Sequence, residues 1–341
     1  MKIIKLFLIV LLFTSCKKET EFTQIPVVKI PFVKTPIIQS EIDRLKTKSE
    51  IENFIRKSDT NYKKYELKNL QDFNRNTSND STNKILANKL NVKTNYTKVD
   101  FDNNGYTDLL AIGDNHTCFG DGEKSCSFSP IVVMNNKENK PKIFHIDKEW
   151  GNSIVPKVEY INSQPFLVVY KKTLVDWKKK KYSDSKAILT FKFGDFIEYN
   201  ENPKKNKISK IEFRTSGCFG SCPVYKLTLN RDSLSIFNAQ YYNFNKKDEV
   251  GYGKEEGVFS TKISKVEFDK LEELLNYCDF ENLNKEYYVM HTDDQTGYLK
   301  ITFNNGKVKN MSDYGMIGTY GLKNLYQKLA ELRFNQKWKK N

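Results

Sequence analysis

Histidine and arginine are both scarce in this chain, and the two shortages exclude different chemistries. The 341 residues include only three histidines, His116, His145 and His291, too little material for a zinc centre built on several imidazoles. Arginine is confined to Arg44, Arg56, Arg75, Arg214, Arg231 and Arg333, and lysine carries the rest of the basic charge. A formal net charge of +14 invites a nucleic-acid reading, but recognition of bases and phosphates favours arginine's planar fork. No nucleic-acid partner is expected, and lysine runs such as 178–181 are read as solvated loops with some attraction to anionic headgroups. The sequence also has no glycine-rich phosphate loop, no G-x-S-x-G elbow and no H-E-x-x-H helix. Nor does any apolar run after the first sixteen residues approach the ~20 needed to span a bilayer.

What is present begins at the start of the chain. Lys2 and Lys5 precede an apolar run from Leu6 to Phe13, and the small residues Thr14 and Ser15 stand before Cys16. The pattern resembles a bacterial lipoprotein signal. The resemblance implies that residues 1–15 are removed and that Cys16 is lipidated at its thiol and new amino group. The expected location is the cell envelope, with the membrane reached through the lipid anchor; Lys17, in place of aspartate, is compatible with the outer membrane. Residues 16–40 carry Pro26, Pro31 and Pro36 and read as an extended tether, reaching roughly 75 Å at ~3.1 Å per residue. Ile25, Val27, Val28, Ile30, Phe32, Val33, Ile37 and Ile38 leave a second reading open, in which part of this segment docks on the following domain.

The remainder predicts two α+β domains, each a mainly antiparallel sheet packed with a few helices. The first, residues 41–203, opens with a helix whose capping box is assigned to Ser49 and Glu52. Strands follow at 109–112, 131–134, 142–145, 155–161, 166–170 and 188–193, with a hairpin turn at Asn162 and Ser163. The second, residues 207–337, has strands around Ile211, Tyr225 and Leu234. It continues with a helix capped by Ser264 and striped by Phe268, Leu271, Leu275 and Cys278, a hairpin around Asn305, and a terminal helix marked by Leu322, Leu325, Leu329 and Leu332.

Between the helical start and the strands lies D-F-D-N-N-G-Y-T-D, residues 100–108. Asp100, Asp102, Asn104 and Asp108 occupy positions one, three, five and nine of a calcium loop, Tyr106 supplies a backbone carbonyl at seven, and Gly105 permits the turn at six. Ala111 stands at position twelve, where an EF-hand needs a bidentate glutamate, so an EF-hand is disfavoured. The apolar run after it makes the segment resemble the aspartate-rich loops of FG-GAP or VCBS repeats, although there is a single copy. Calcium in a structural role is expected; an Asx-rich turn without metal is the alternative.

Export permits disulfides, and sequence proximity pairs Cys118 with Cys126 and Cys218 with Cys222, other pairings staying open. Cys278 is the odd one, expected to be buried as a small apolar residue. The string G-C-F-G-S-C-P-V-Y, with Cys218, Gly220, Cys222, Pro223 and Tyr225, followed by the Asp293–Asp294 region and the terminal helix, resembles the bacterial family domain of unknown function 6438 over about 207–335. The resemblance implies no activity. The segments D-F-D-N-N-G-Y-T-D-L-L and K-F-G-D-F-I-E-Y-N also resemble stretches beside that module in Bacteroidetes lipoproteins.

Two thiols separated by three residues, between strands, lack the helix N-terminus that lowers a redox thiol's pKa, so a structural bond is the leading reading for Cys218 and Cys222. His291 with Asp293 and Asp294 forms a polar cluster capable of acid–base work, but no nucleophile stands beside it. The sequence therefore points to a lipid-anchored envelope protein with a binding or structural role and an envelope protein or glycan as partner. The alternative is an envelope enzyme, a thiol oxidoreductase or a hydrolase.

Overall fold

Three sheets carry the structure, a computed structural model that describes residues 32–73, 78–116, 128–137, 140–148, 154–176, 181–243 and 256–341. The export segment, Cys16, Cys118 and Cys126 lie outside the described residues. The first helices are α1 (Glu41–Arg44) and α2 (Lys48–Ser58). The α2 capping box sits two residues earlier than expected. Thr47 is extended and accepts from Glu50 N–H, while the Glu50 carboxylate accepts from Thr47 N–H. Ser49 and Glu52 fall inside the helix, and Glu52 instead accepts from Leu67 N–H at 2.8 Å.

The first sheet contains β1 (Glu66–Leu67), β2 (Tyr96–Val99), β3 (Asp108–Asp114), β4 (Phe128–Met134) and β5 (Lys142–His145), with α3 (Ser78–Lys89) between β1 and β2. β1 and β2 share one edge of β3, and the order continues through β4 to β5. Every residue of β3 and β4 is buried, because the sheet is covered on both faces. Leu109, Ala111, Ile131 and Val133 meet Ile42, Ile51 and Ile55 of α1 and α2. Leu110, Ile112, Val132 and Met134 face the other way, into a core shared with the second sheet. An apolar run without alternation is what such two-sided burial demands.

The second sheet is a meander, β6 (Ile154–Ile161), β7 (Gln164–Asp176), β8 (Lys181–Lys192) and β9 (Asp195–Glu198). Asn162 and Ser163 both take positive φ, at 51° and 66°, the twist a two-residue hairpin needs. The first half of the chain thus holds two sheets where the sequence predicts one. Periodicity reports which residues are buried, not which sheet buries them.

The third sheet has eight strands in the order β14-β16-β15-β10-β11-β12-β13-β17. These are β10 (Ile208–Thr215), β11 (Val224–Asn230), β12 (Ser235–Tyr241), β13 (Gly257–Thr261), β14 (Glu286–Tyr287), β15 (Thr296–Phe303), β16 (Val308–Tyr314) and β17 (Lys339–Lys340). The short pairing of β14 with β16 is parallel and the other ladders are antiparallel, as the α+β reading expects. One face is covered by α4 (Lys265–Tyr277) and α5 (Tyr320–Asn335), through Phe268, Leu271, Leu275, Leu322, Leu325 and Leu329. Ser264 caps α4 by accepting from Glu267 N–H, and Cys278 closes it.

The two halves are joined at the start of α5. Glu198, at the end of β9, accepts from Tyr320 N–H and Gly321 N–H at 2.7 and 2.8 Å, which satisfies two of the helix's unpaired donors and places negative charge at the positive end of its dipole. Tyr320 O–H donates to the Ile146 carbonyl, and Lys148 Nζ donates to the carbonyls of Ile317 and Gly318. Residues Lys34–Asn341 accordingly form one compact unit. No described helix is long and apolar enough to cross a membrane.

Candidate cation loop and disulfide loop

The 100–108 segment turns the chain from β2 into β3, two antiparallel neighbours. Strands rather than helices flank it, and Ala111 is fully buried inside β3, an arrangement that excludes an EF-hand. One carboxylate oxygen from each of Asp100, Asp102 and Asp108 lies within 4.8 Å of the other two. Backbone donors fix the buried pair. Asp100 accepts from Asn104 N–H and Gly105 N–H at 3.1 and 2.9 Å, and Asp108 from Phe101 N–H and Asn135 N–H at 2.8 and 2.7 Å. Asn104 Oδ1 accepts from Tyr106 N–H at 2.7 Å, and its Nδ2 donates to the Asn135 carbonyl and to Asp102. Gly105 has φ +87°, and a Cβ there would stand 3.0 Å from the Pro36 carbonyl oxygen.

Bringing three carboxylates together is electrostatically unfavourable. Burial pushes Asp108 up to about 8 and Asp102 up to about 6, and the neighbouring carboxylates add to both shifts. An all-oxygen set of this kind fits a hard cation such as calcium, whose charge removes the repulsion. Residues before α1 close over the same loop. Thr35 N–H donates to Asn103 Oδ1, Thr35 O–H to the Asn103 carbonyl, and Ile38 N–H to the Gly105 carbonyl at 2.7 Å.

The second loop joins β10 to β11. Cys218 and Cys222 are disulfide-bonded, with Cα atoms 5.7 Å apart. Thr215 O–H donates to the Pro223 carbonyl and accepts from Tyr225 N–H, pinning the loop's base. Gln295 Nε2 bridges the carbonyls of Ser216 and Pro223, both at 2.8 Å, and Phe219 N–H donates to the Asp293 carbonyl. The cysteine loop and the 291–296 turn therefore meet at one end of the third sheet. His291 pairs with Asp294 at 2.5 Å on an exposed surface. No helix begins at either cysteine, so the dipole that activates thioredoxin-type thiols is missing from this loop. Cys278 is the free thiol among the described residues, and burial pushes its pKa well above the ordinary value.

Sequence reasoning missed two features assembled from distant strands. One is a cleft of about 280 Å³ where the halves meet, with Lys148, Tyr287, Asp313 and Tyr320 in its walls. Asp313 Oδ2 accepts from Gly318 N–H and Tyr326 O–H; burial raises its pKa against those bonds. Gly318 is obligatory there, because a Cβ would stand 2.5 Å from the Tyr287 ring. The other is an open groove on the face of the third sheet opposite α4 and α5.

Residues 209–333 match the family model described as Domain of unknown function (DUF6438). This stretch contains the disulfide loop, the 291–296 turn and most of α5, and leaves the cation loop outside. No curated protein and no solved structure matches the chain.

Proposed function

We propose that this chain is an exported, lipid-anchored envelope protein of the Bacteroidetes lipoprotein kind, in which a domain of residues 41–203 and one of residues 207–337 serve binding and not catalysis. In this reading calcium is a structural cofactor held by the Asp100–Asp108 loop. The observation that carries it is the convergence of Asp100, Asp102 and Asp108 within 4.8 Å, two of them buried. A cytosolic protein meets little free calcium, whereas an envelope protein meets enough to saturate a loop of modest affinity. The disulfide between Cys218 and Cys222 supports the same compartment. Support for the anchor comes from Lys2, Lys5, the Leu6–Phe13 run and Cys16. Lys17, in place of aspartate after Cys16, is compatible with outer-membrane placement under the same reading.

The rival enzyme reading needs a nucleophile beside His291 or an activated thiol. The His291–Asp294 pair is exposed, and the cysteine loop lies between strands. The test is to label cells with palmitate and compare the wild type with Cys16→Ala. Label on the wild type alone, in the membrane fraction, is the expected outcome. Unlabelled, full-length protein in the cytosol with its cysteines free would overturn the proposal.

A further inference from the structure

α4 and α5 cover one face of the third sheet, and among the described residues no helix covers the opposite face. Strand register lines up its side chains in rungs. Lys226, Arg214, Tyr298, Ser312 and Glu286 form one rung across β11, β10, β15, β16 and β14. Thr228, Glu212, Lys300 and Asn310 form the next. All of these but Thr228 line an open groove of about 570 Å³, to which Lys285 adds another ammonium group.

Charge and geometry define what this groove accepts. Glu212 lies 3.2 Å from Lys210, 3.7 Å from Lys226 and 3.4 Å from Lys300, so one carboxylate is shared among three ammonium groups. The Arg214 guanidinium carbon stands 3.5 Å over the Tyr298 ring centroid, and the side chain is exposed. Among the described residues no carboxylate pairs with Arg214 or with Lys285. Stacking fixes the plane of the guanidinium and leaves its forked N–H edge free for a carboxylate. The surplus cations thus complement an anion.

The type of anion follows from what the strands leave unused. β11, β10 and β15 are each paired on both sides and β14 covers β16 at Ser312 and Asp313, so along these strands the backbone groups are consumed and no peptide can add as a strand across the floor of the groove. The groove offers ammonium groups, one planar fork, the Asn310 amide, the Ser312 hydroxyl and the acceptors Glu212 and Glu286. That set suits a chain dense in hydroxyls and carboxylates. We propose that this groove binds an acidic, uronate-bearing glycan strand, with Arg214 taking one carboxylate through two of its guanidinium nitrogens. The inference deepens the binding role proposed above by naming a ligand class, but its test uses neither the lipid anchor nor calcium.

The test is a titration of the full chain in detergent and chelator with oligogalacturonate, with dextran as the neutral control. Oligogalacturonate binds and dextran does not. Arg214→Gln weakens binding roughly tenfold, the loss of one charge-assisted bidentate contact. Lys270→Gln, on α4 and away from the groove, leaves binding unchanged, and added salt weakens the wild type. Absence of oligogalacturonate binding, or equal loss in the two variants, overturns the proposal. Equal Arg214-dependent binding of oligoglutamate or of phosphatidylglycerol vesicles also overturns it, because the ligand would then be an acidic peptide or a membrane surface. The palmitate result stands or falls separately.

Discussion

The 100–108 loop and the 215–223 loop both join antiparallel neighbours, and they are held in opposite ways. The first gathers three carboxylates around one point and fastens them with backbone N–H donors. The second closes with a covalent bond and neutral hydrogen bonds from Thr215 and Gln295. One loop stores repulsion that a cation relieves, and the other carries no charge to relieve. The first should respond to calcium and be blind to reductant, and the second the reverse. The comparison also separates roles within the chain, since the matched family stretch includes the second loop and not the first.

The largest effect is expected at Asp108. It is fully buried and accepts from Phe101 N–H and Asn135 N–H, so Asp108→Ala leaves two donors unmatched and should cost about 3 kcal/mol in denaturant unfolding. A loss below about 1 kcal/mol would show that water replaces both bonds and that the loop is not rigidly built. Reducing Cys218–Cys222 comes next. A loop this short should lose about 2 kcal/mol when opened, with the calcium response unchanged. If reduction also abolished that response, the loops would be coupled and the contrast between them lost. The smallest effect is at Thr35. Thr35→Val removes the hydroxyl bond to the Asn103 carbonyl and should cost about 1 kcal/mol, detectable as faster proteolysis before α1. No change would mean that residues 34–38 do not brace the cation loop.

How much of this was legible in the sequence depends on how far apart the cooperating residues lie. Asp100, Asp102 and Asp108 sit within nine positions, so their spacing alone announced an oxygen-rich turn. The Cys218–Cys222 pair was legible for the same reason. The α2 cap lies two residues before the Ser49-Glu52 box that the spacing predicts, because Thr47-Glu50 satisfies the same spacing and only the backbone's change from extended to helical chooses between them. The groove was invisible. Arg214, Tyr298 and Ser312 become neighbours through the ladders of β10, β15 and β16, and no local pattern encodes that register. Glu198 was equally hidden, since its role depends on α5 arriving more than a hundred residues later.

Thermal melting of the oxidised full chain in millimolar calcium and in chelator tests the central claim most directly. The account predicts a higher melting temperature with calcium, a lower one with chelator, and loss of the difference in Asp108→Asn, which keeps the shape of the side chain and removes its charge. Superimposable melting curves for the wild type in the two buffers would contradict it.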